Sequence, residues 1–133
     1  MAFVEDAPAN CHLRRAIEYT STAHRNEPMQ WCGWCHRFPS QWWMRVSCWI
    51  KFIGAVPPPS DNFGLKLHGK VDNSWLSQCE PDTWTRISSM APCSGGDGGH
   101  VLLIFDSIAQ PQRVRFTALE LEVWAVSPPE WPA

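Results

Sequence analysis

From Met44 to Phe52 apolar residues fall on every second position: Met44, Val46, Cys48, Ile50 and Phe52 alternate with Arg45, Ser47, Trp49 and Lys51, with Trp43 leading in and Ile53 following. A period of two is the side-chain period of a strand, so one face of this segment is predicted to be core. Gly54 and Pro57-Pro58-Pro59 stop it, Ser60-Asp61-Asn62 has turn chemistry, and a loop is expected over 54–62. Phe63, Leu65 and Leu67 alternate with Gly64, Lys66 and His68 in a second strand ended by Gly69. Val71 to Leu76 and Thr83 to Ser89 read as further short strands, divided by the turn Glu80-Pro81-Asp82. Ser94 to Gly99 is a glycine-rich turn, and His100 to Phe105 is an apolar run short enough for a strand buried on both faces.

After Pro111, Val114, Phe116 and Ala118 share one parity, whereas Leu119, Leu121 and Val123 share the other. A β-bulge at Ala118-Leu119 restores a single apolar face and bends the strand. Cys11 to Thr20 reads equally as one short helix, with Leu13, Ala16 and Ile17 inward, or as a strand. The whole predicts an all-β chain folded as an antiparallel β-sandwich of jelly-roll type or a barrel, with one short N-terminal helix as an option. One domain over 1–133 is expected, with 1–42 irregular, 43–126 as the core and 127–133 as a Pro-rich tail.

Composition narrows the classes. Hydrophobic residues make up 44% and charged residues 18%, below the roughly 25% charged share of a typical domain, which excludes disorder. Eleven Lys and Arg against thirteen Asp and Glu give a net charge of −2, and no basic excess is available for a nucleic-acid backbone. No stretch approaches the length of a membrane span. Met1 to Asn10 contains Glu5 and Asp6 and lacks the basic start and apolar stretch of a secretory signal. The cytoplasm this implies weakens a disulfide framework for the six cysteines and makes most of them small buried apolar residues.

Trp31-Cys32-Gly33-Trp34-Cys35-His36 contains C-x-x-C, which needs a strand before it and a helix after it to act as a redox motif. Pro28 and Pro39 deny it that setting, so a structural loop with packed thiols is expected. The chemical alternative is a structural zinc site on Cys11, Cys32, Cys35 and His36, whose soft S and N ligands suit that ion; a disulfide and a haem attachment are further readings. The turn at 94–99 lacks the Gly-Lys-Ser/Thr of a phosphate loop and is expected to be a hairpin connection, with Asp97 on a calcium site as the alternative.

Nine Trp against one Tyr is the compositional outlier. Exposed Trp platforms with polar neighbours suit the apolar C–H face and the hydroxyls of a sugar, while buried ones suit a core or a subunit contact. The candidate ligand-binding set is Trp43, Trp49, Trp75, Trp84, Arg86 and Asp72, with Trp124, Arg45, Asn73 and Glu122 as neighbours. No nucleophile with a base, paired carboxylates or His at metal spacing is found, so no enzyme is expected.

Trp43 to Phe52, Leu65-Lys66-Leu67-His68-Gly69, Asp82 to Ile87 and Val114 to Trp124 occur in this order in a way that resembles jelly-roll carbohydrate-binding modules of the galactose-binding-like type. The resemblance covers about 80 residues, and the chain departs from it at Thr117-Ala118, where the family's pattern carries an acidic residue. It implies a two-sheet fold and a non-catalytic binding role, a fold class also used in bacteriophage decoration and tail-associated proteins. The expected function is therefore an assembly and binding module of a larger particle, such as a phage capsid decoration or tail-associated protein. It would be made in a host cytoplasm and carried in the virion, with other protein subunits as partners and no cofactor. Met1 to Asn10 and Ser127 to Pro132 are expected to be held by neighbouring subunits, with Trp131 as an interface anchor. The alternatives are a soluble lectin-like module that binds glycan through exposed Trp, and a small zinc-stabilised domain.

Overall fold

The computed structural model describes residues 2–21, 29–36, 42–59, 63–67, 70–92, 99–105 and 112–125, with side chains over 2–20, 42–59, 64–65, 72–92 and 113–125. These residues form nine strands: β1 (Ala2–Val4), β2 (Ala16–Ser21), β3 (Met29–His36), β4 (Trp43–Ile53), β5 (Phe63–Leu67), β6 (Lys70–Asp72), β7 (Thr85–Pro92), β8 (Gly99–Phe105) and β9 (Gln112–Trp124), with apolar alternation clearest in β4 and β5. A 3-10 helix, Ser74–Gln78, is the single helical element among them. The described residues are thus of the all-β class, and every strand pair among them is antiparallel.

The pairing is nested. β5 pairs β6, β4 pairs β7, β3 pairs β8 and β2 pairs β9, the order produced by one long two-stranded ribbon bent between β5 and β6. The ribbon is then joined sideways, β9 to β4 and β8 to β5. The result is a five-stranded sheet, β1-β2-β9-β4-β7, and a four-stranded sheet, β3-β8-β5-β6.

β4 lies inside the first sheet between β9 and β7, and its predicted apolar face is the core: Met44, Val46, Cys48, Ile50 and Phe52 are all buried. Val46, Cys48, Ile50 and Phe52 cluster with Ile87 of β7, Val114 and Phe116 of β9, Leu65 of β5 in the second sheet, and Trp75 and Leu76 of the 3-10 helix. Full burial of each large aliphatic or aromatic side chain contributes about 1.5–3 kcal/mol. Burial pushes the Cys48 thiol up to about 12, so it remains neutral and packs as a small apolar group.

The bulge in β9 is present. Between Ser47 and Trp49 of β4 the partners on β9 jump from Glu120 to Thr117, one residue more than the two-residue step on β4. Ala118 takes the extra position with φ 55°, a left-handed conformation that costs a residue with a Cβ roughly 1–2 kcal/mol. Phe116 and Leu121 thereby both pack on the core cluster.

Three expectations differ from the structure. Residues 1–42 contain β1, β2 and β3, so they contribute to both sheets; the option over 11–20 resolves to a strand from Ala16. The C-x-x-C segment, expected as a loop, lies in β3: Cys32 faces Leu102 and Cys35 faces His100, and the extra residue between them is absorbed as an irregularity at Gly33-Trp34. Such a shift breaks the alternation by which a strand is recognised. Val71 to Leu76 is not one strand, because the Asp72 carboxylate accepts hydrogen bonds from the Ser74 backbone N–H (3.0 Å) and hydroxyl (2.7 Å). A short side chain bonding two residues ahead turns the backbone, and the adjacent pair Trp75-Leu76 is buried from the 3-10 helix.

Candidate functional site

The outer face of the first sheet, opposite the core, is a ladder of charges. Lys51 of β4 lies directly across from Arg115 of β9, and Arg115 lies across from Glu18 of β2. Two cations in register repel. The Asp6 carboxylate relieves the clash: Oδ2 accepts from Arg115 Nη1 at 2.7 Å and from Lys51 Nζ at 3.0 Å, and Oδ1 accepts from Trp84 Nε1 at 3.2 Å. Glu18 accepts from Arg115 Nε and Arg113 Nη2, each at 2.9 Å. The Lys51 ammonium also stands 5.7 Å from the Trp84 ring centre.

Asp6 thus pins the segment that follows β1 across β9, β4 and the approach to β7. Pro8 is buried and its carbonyl accepts the Cys11 N–H at 3.1 Å, turning the segment into a strap over the sheet. Within Met1 to Asn10, the segment expected to be held by neighbouring subunits, β1, Asp6 and Pro8 make contacts with their own chain.

The carboxylates of this network are shifted downward. For Asp6, burial pushes the carboxyl up, but the hydrogen bonds from Arg115, Lys51 and Trp84 outweigh it. For Glu18 the hydrogen bond from Arg115 dominates. A depressed carboxyl stabilises the fold above its unfolded value, and that stability is lost as pH falls through the folded value. Unfolding free energy is therefore expected to fall progressively below about pH 5, with a shallower slope in Asp6→Asn. Urea titrations at several pH values check this, and equal slopes in the two chains contradict it.

Beneath the far end of the strap is a cavity of about 510 Å³ with Cys11 and His12 on one wall and Trp49, Arg86, Ala118 and Glu120 on the other. Trp49 and Arg86 are register partners across β4 and β7. Arg86 Nη2 lies 3.8 Å from Glu120 Oε2, with both side chains substantially exposed. On the other side of the bulge, an apolar groove of about 480 Å³ is lined by Phe3, Leu13, Ile17, Phe116 and Leu119, with Arg14 at its rim. Phe3 is 75% and Leu13 41% exposed. Ala118 lines both hollows, so the left-handed bulge residue separates a polar site from an apolar one.

The predicted residues fall into separate places. Trp49 and Arg86 meet in the cavity, joined by Cys11. Trp84 sits under the strap. Trp43 opens β4, in register with Trp124 and Pro92, and is half-buried. Trp75 is 3% exposed in the core and donates its indole N–H to the Asp72 carbonyl, so it presents no platform. Asp72 is structural: burial pushes its carboxyl up, the hydrogen bonds from Ser89 and Ser74 hold it below the usual range, and Ser89 Oγ lies 2.5 Å from Oδ2. Arg45 and Glu122 form an ion pair of 2.7 Å, with the Arg45 guanidinium 5.6 Å from the Trp124 ring centre. Cys32, Cys35 and His36 belong to β3 of the second sheet, and their side chains, like Asp97 and Trp131, lie outside the described residues.

Sequence reasoning missed Asp6 and Glu120, and it missed Phe3 and Leu13 as surface groups. None of these carries a periodic signal, and the need for Asp6 follows only from the register that sets Lys51 against Arg115. No protein-family model, curated protein or solved structure matches this chain.

Proposed function

We propose that the chain is a β-sandwich of jelly-roll type, similar to galactose-binding-like modules, and that it acts without catalysis as an assembly module of a larger particle. The nested pairing supports the architecture, since two Greek keys wound from one ribbon yield two four-stranded sheets; β1 is then an addition to the edge of one of them. The apolar groove carries the functional reading. A phenylalanine that is 75% exposed in a concave apolar surface is characteristic of a contact made with another protein.

The occupant we assign is a second copy of this chain. Arg14 at the groove rim and Glu80 at the turn before β7 are both exposed and have no ion-pair partner among the described residues. A contact between two different patches is heterologous and extends into a ring or filament, an arrangement that suits a virion component such as a capsid decoration or tail-associated protein. Arg14→Glu and Glu80→Lys are each expected to weaken self-association measured by light scattering, and an equimolar mixture of the two to restore it. Failure of the mixture to associate would remove Glu80 as the complement.

One observation favours a second reading, a carbohydrate-binding module: Trp49 shares a cavity with Arg86 and Glu120.

A further inference from the structure

We propose that the cavity between the N-terminal strap and the outer face of the first sheet binds a neutral pyranose sugar, and that Asp6 is the positioning residue that seats the strap over it. The inference rests on the carbohydrate-binding reading and names its site, ligand class and closing element.

The chemistry of the wall sets the class. Trp49 brings a large apolar ring, while Arg86 and Glu120 bring a guanidinium and a carboxylate 3.8 Å apart. A guanidinium only donates hydrogen bonds and a carboxylate only accepts them, whereas each sugar hydroxyl does both. Neighbouring hydroxyls of one ring therefore match the pair, and the ring's C–H face matches the indole. The opposite charges of Arg86 and Glu120 cancel, so this pair does not by itself select an anionic ligand. A volume of about 510 Å³ falls within the roughly 300–1,000 Å³ of small-molecule sites.

The strap makes the site a cavity instead of an open sheet face. Cys11 and His12 form its second wall, and they are held there from Asp6, whose carboxylate takes three donors, from β4, from β9 and from Trp84 just before β7. Loss of that seat opens the wall without touching Trp49, Arg86 or Glu120.

The test uses the full chain and a panel of methyl glucoside, galactoside and mannoside, read by Trp fluorescence, together with an array of neutral oligosaccharides. Saturable binding is expected for at least one, with about tenfold weakening in Trp49→Ala and a comparable loss in Asp6→Asn. Circular dichroism verifies that each variant folds, and Trp49→Phe, which keeps a ring, is expected to retain part of the affinity. Alkylation of Cys11, followed by peptide mass mapping, supplies a readout specific to the strap. The bound glycoside slows it in the native chain, and Asp6→Asn accelerates it. Binding insensitive to Trp49 and Asp6 overturns this site while leaving the carbohydrate reading intact. Absence of binding across both panels overturns the two together, and preference for a glucuronide over the neutral glycosides overturns the ligand class.

Discussion

Replacing Phe52 by Ala is expected to lower the unfolding free energy by about 3–5 kcal/mol. The side chain is 1% exposed, lies in register with Val114 and belongs to the cluster that joins β4, β7, β9, Leu65 and the 3-10 helix. The cluster draws on four elements besides β4, so the surroundings cannot readily collapse into the space left behind. Marginal stabilities of about 5–15 kcal/mol mean that the loss consumes a large part of the total. The backbone of residue 52 has a second task that Ala preserves: its carbonyl accepts the Asp82 N–H at 2.7 Å, clipping the turn before β7 to the end of β4. Urea unfolding measures the effect, and a change below about 1 kcal/mol would show that this cluster is not the core of the fold.

The second large effect is on the opposite face. Glu122→Ala is expected to cost about 3 kcal/mol, because the Arg45 side chain is only 6% exposed and Glu122 is its carboxylate partner at 2.7 Å. The same carboxylate accepts the Trp124 indole N–H at 2.9 Å. Glu122 is partly exposed, but removing it takes the carboxylate away from the buried Arg45 charge, whereas replacing both with apolar groups of similar size is often neutral. Arg45→Met/Glu122→Leu should accordingly be more stable than Glu122→Ala alone. A double variant less stable than the single would contradict the account of this pair.

The sequence reveals those parts of the fold where one face of a strand is buried without interruption. β4 is read correctly because its core residues alternate over its length, and the bulge at Ala118-Leu119 because the parity changes once between two clear runs. β3 is hidden because its irregularity at Gly33-Trp34 coincides with the C-x-x-C spacing, and the chemical motif draws the reading away from a strand. The end of β6 is hidden because Asp72 looks like any polar residue between apolar ones until its bonds to Ser74 turn the chain. Of the candidate site, Trp49 and Arg86 are named from the sequence as candidates and line one cavity, but the strap is not foreseen. It depends on a register between strands separated by about 60 residues, and no local pattern encodes that. Trp composition misleads in the other direction, since Trp75 belongs to the core.

The measurement that tests the central claim most directly is the solution mass of the purified chain by light scattering, beside that of Phe3→Glu. The account predicts an assembly several times the 15.1 kDa of one chain that falls toward the monomer in Phe3→Glu, with the circular dichroism of the two chains superimposable. A wild-type chain that stays at 15.1 kDa at every concentration, or an assembly indifferent to a charge at Phe3, would contradict it.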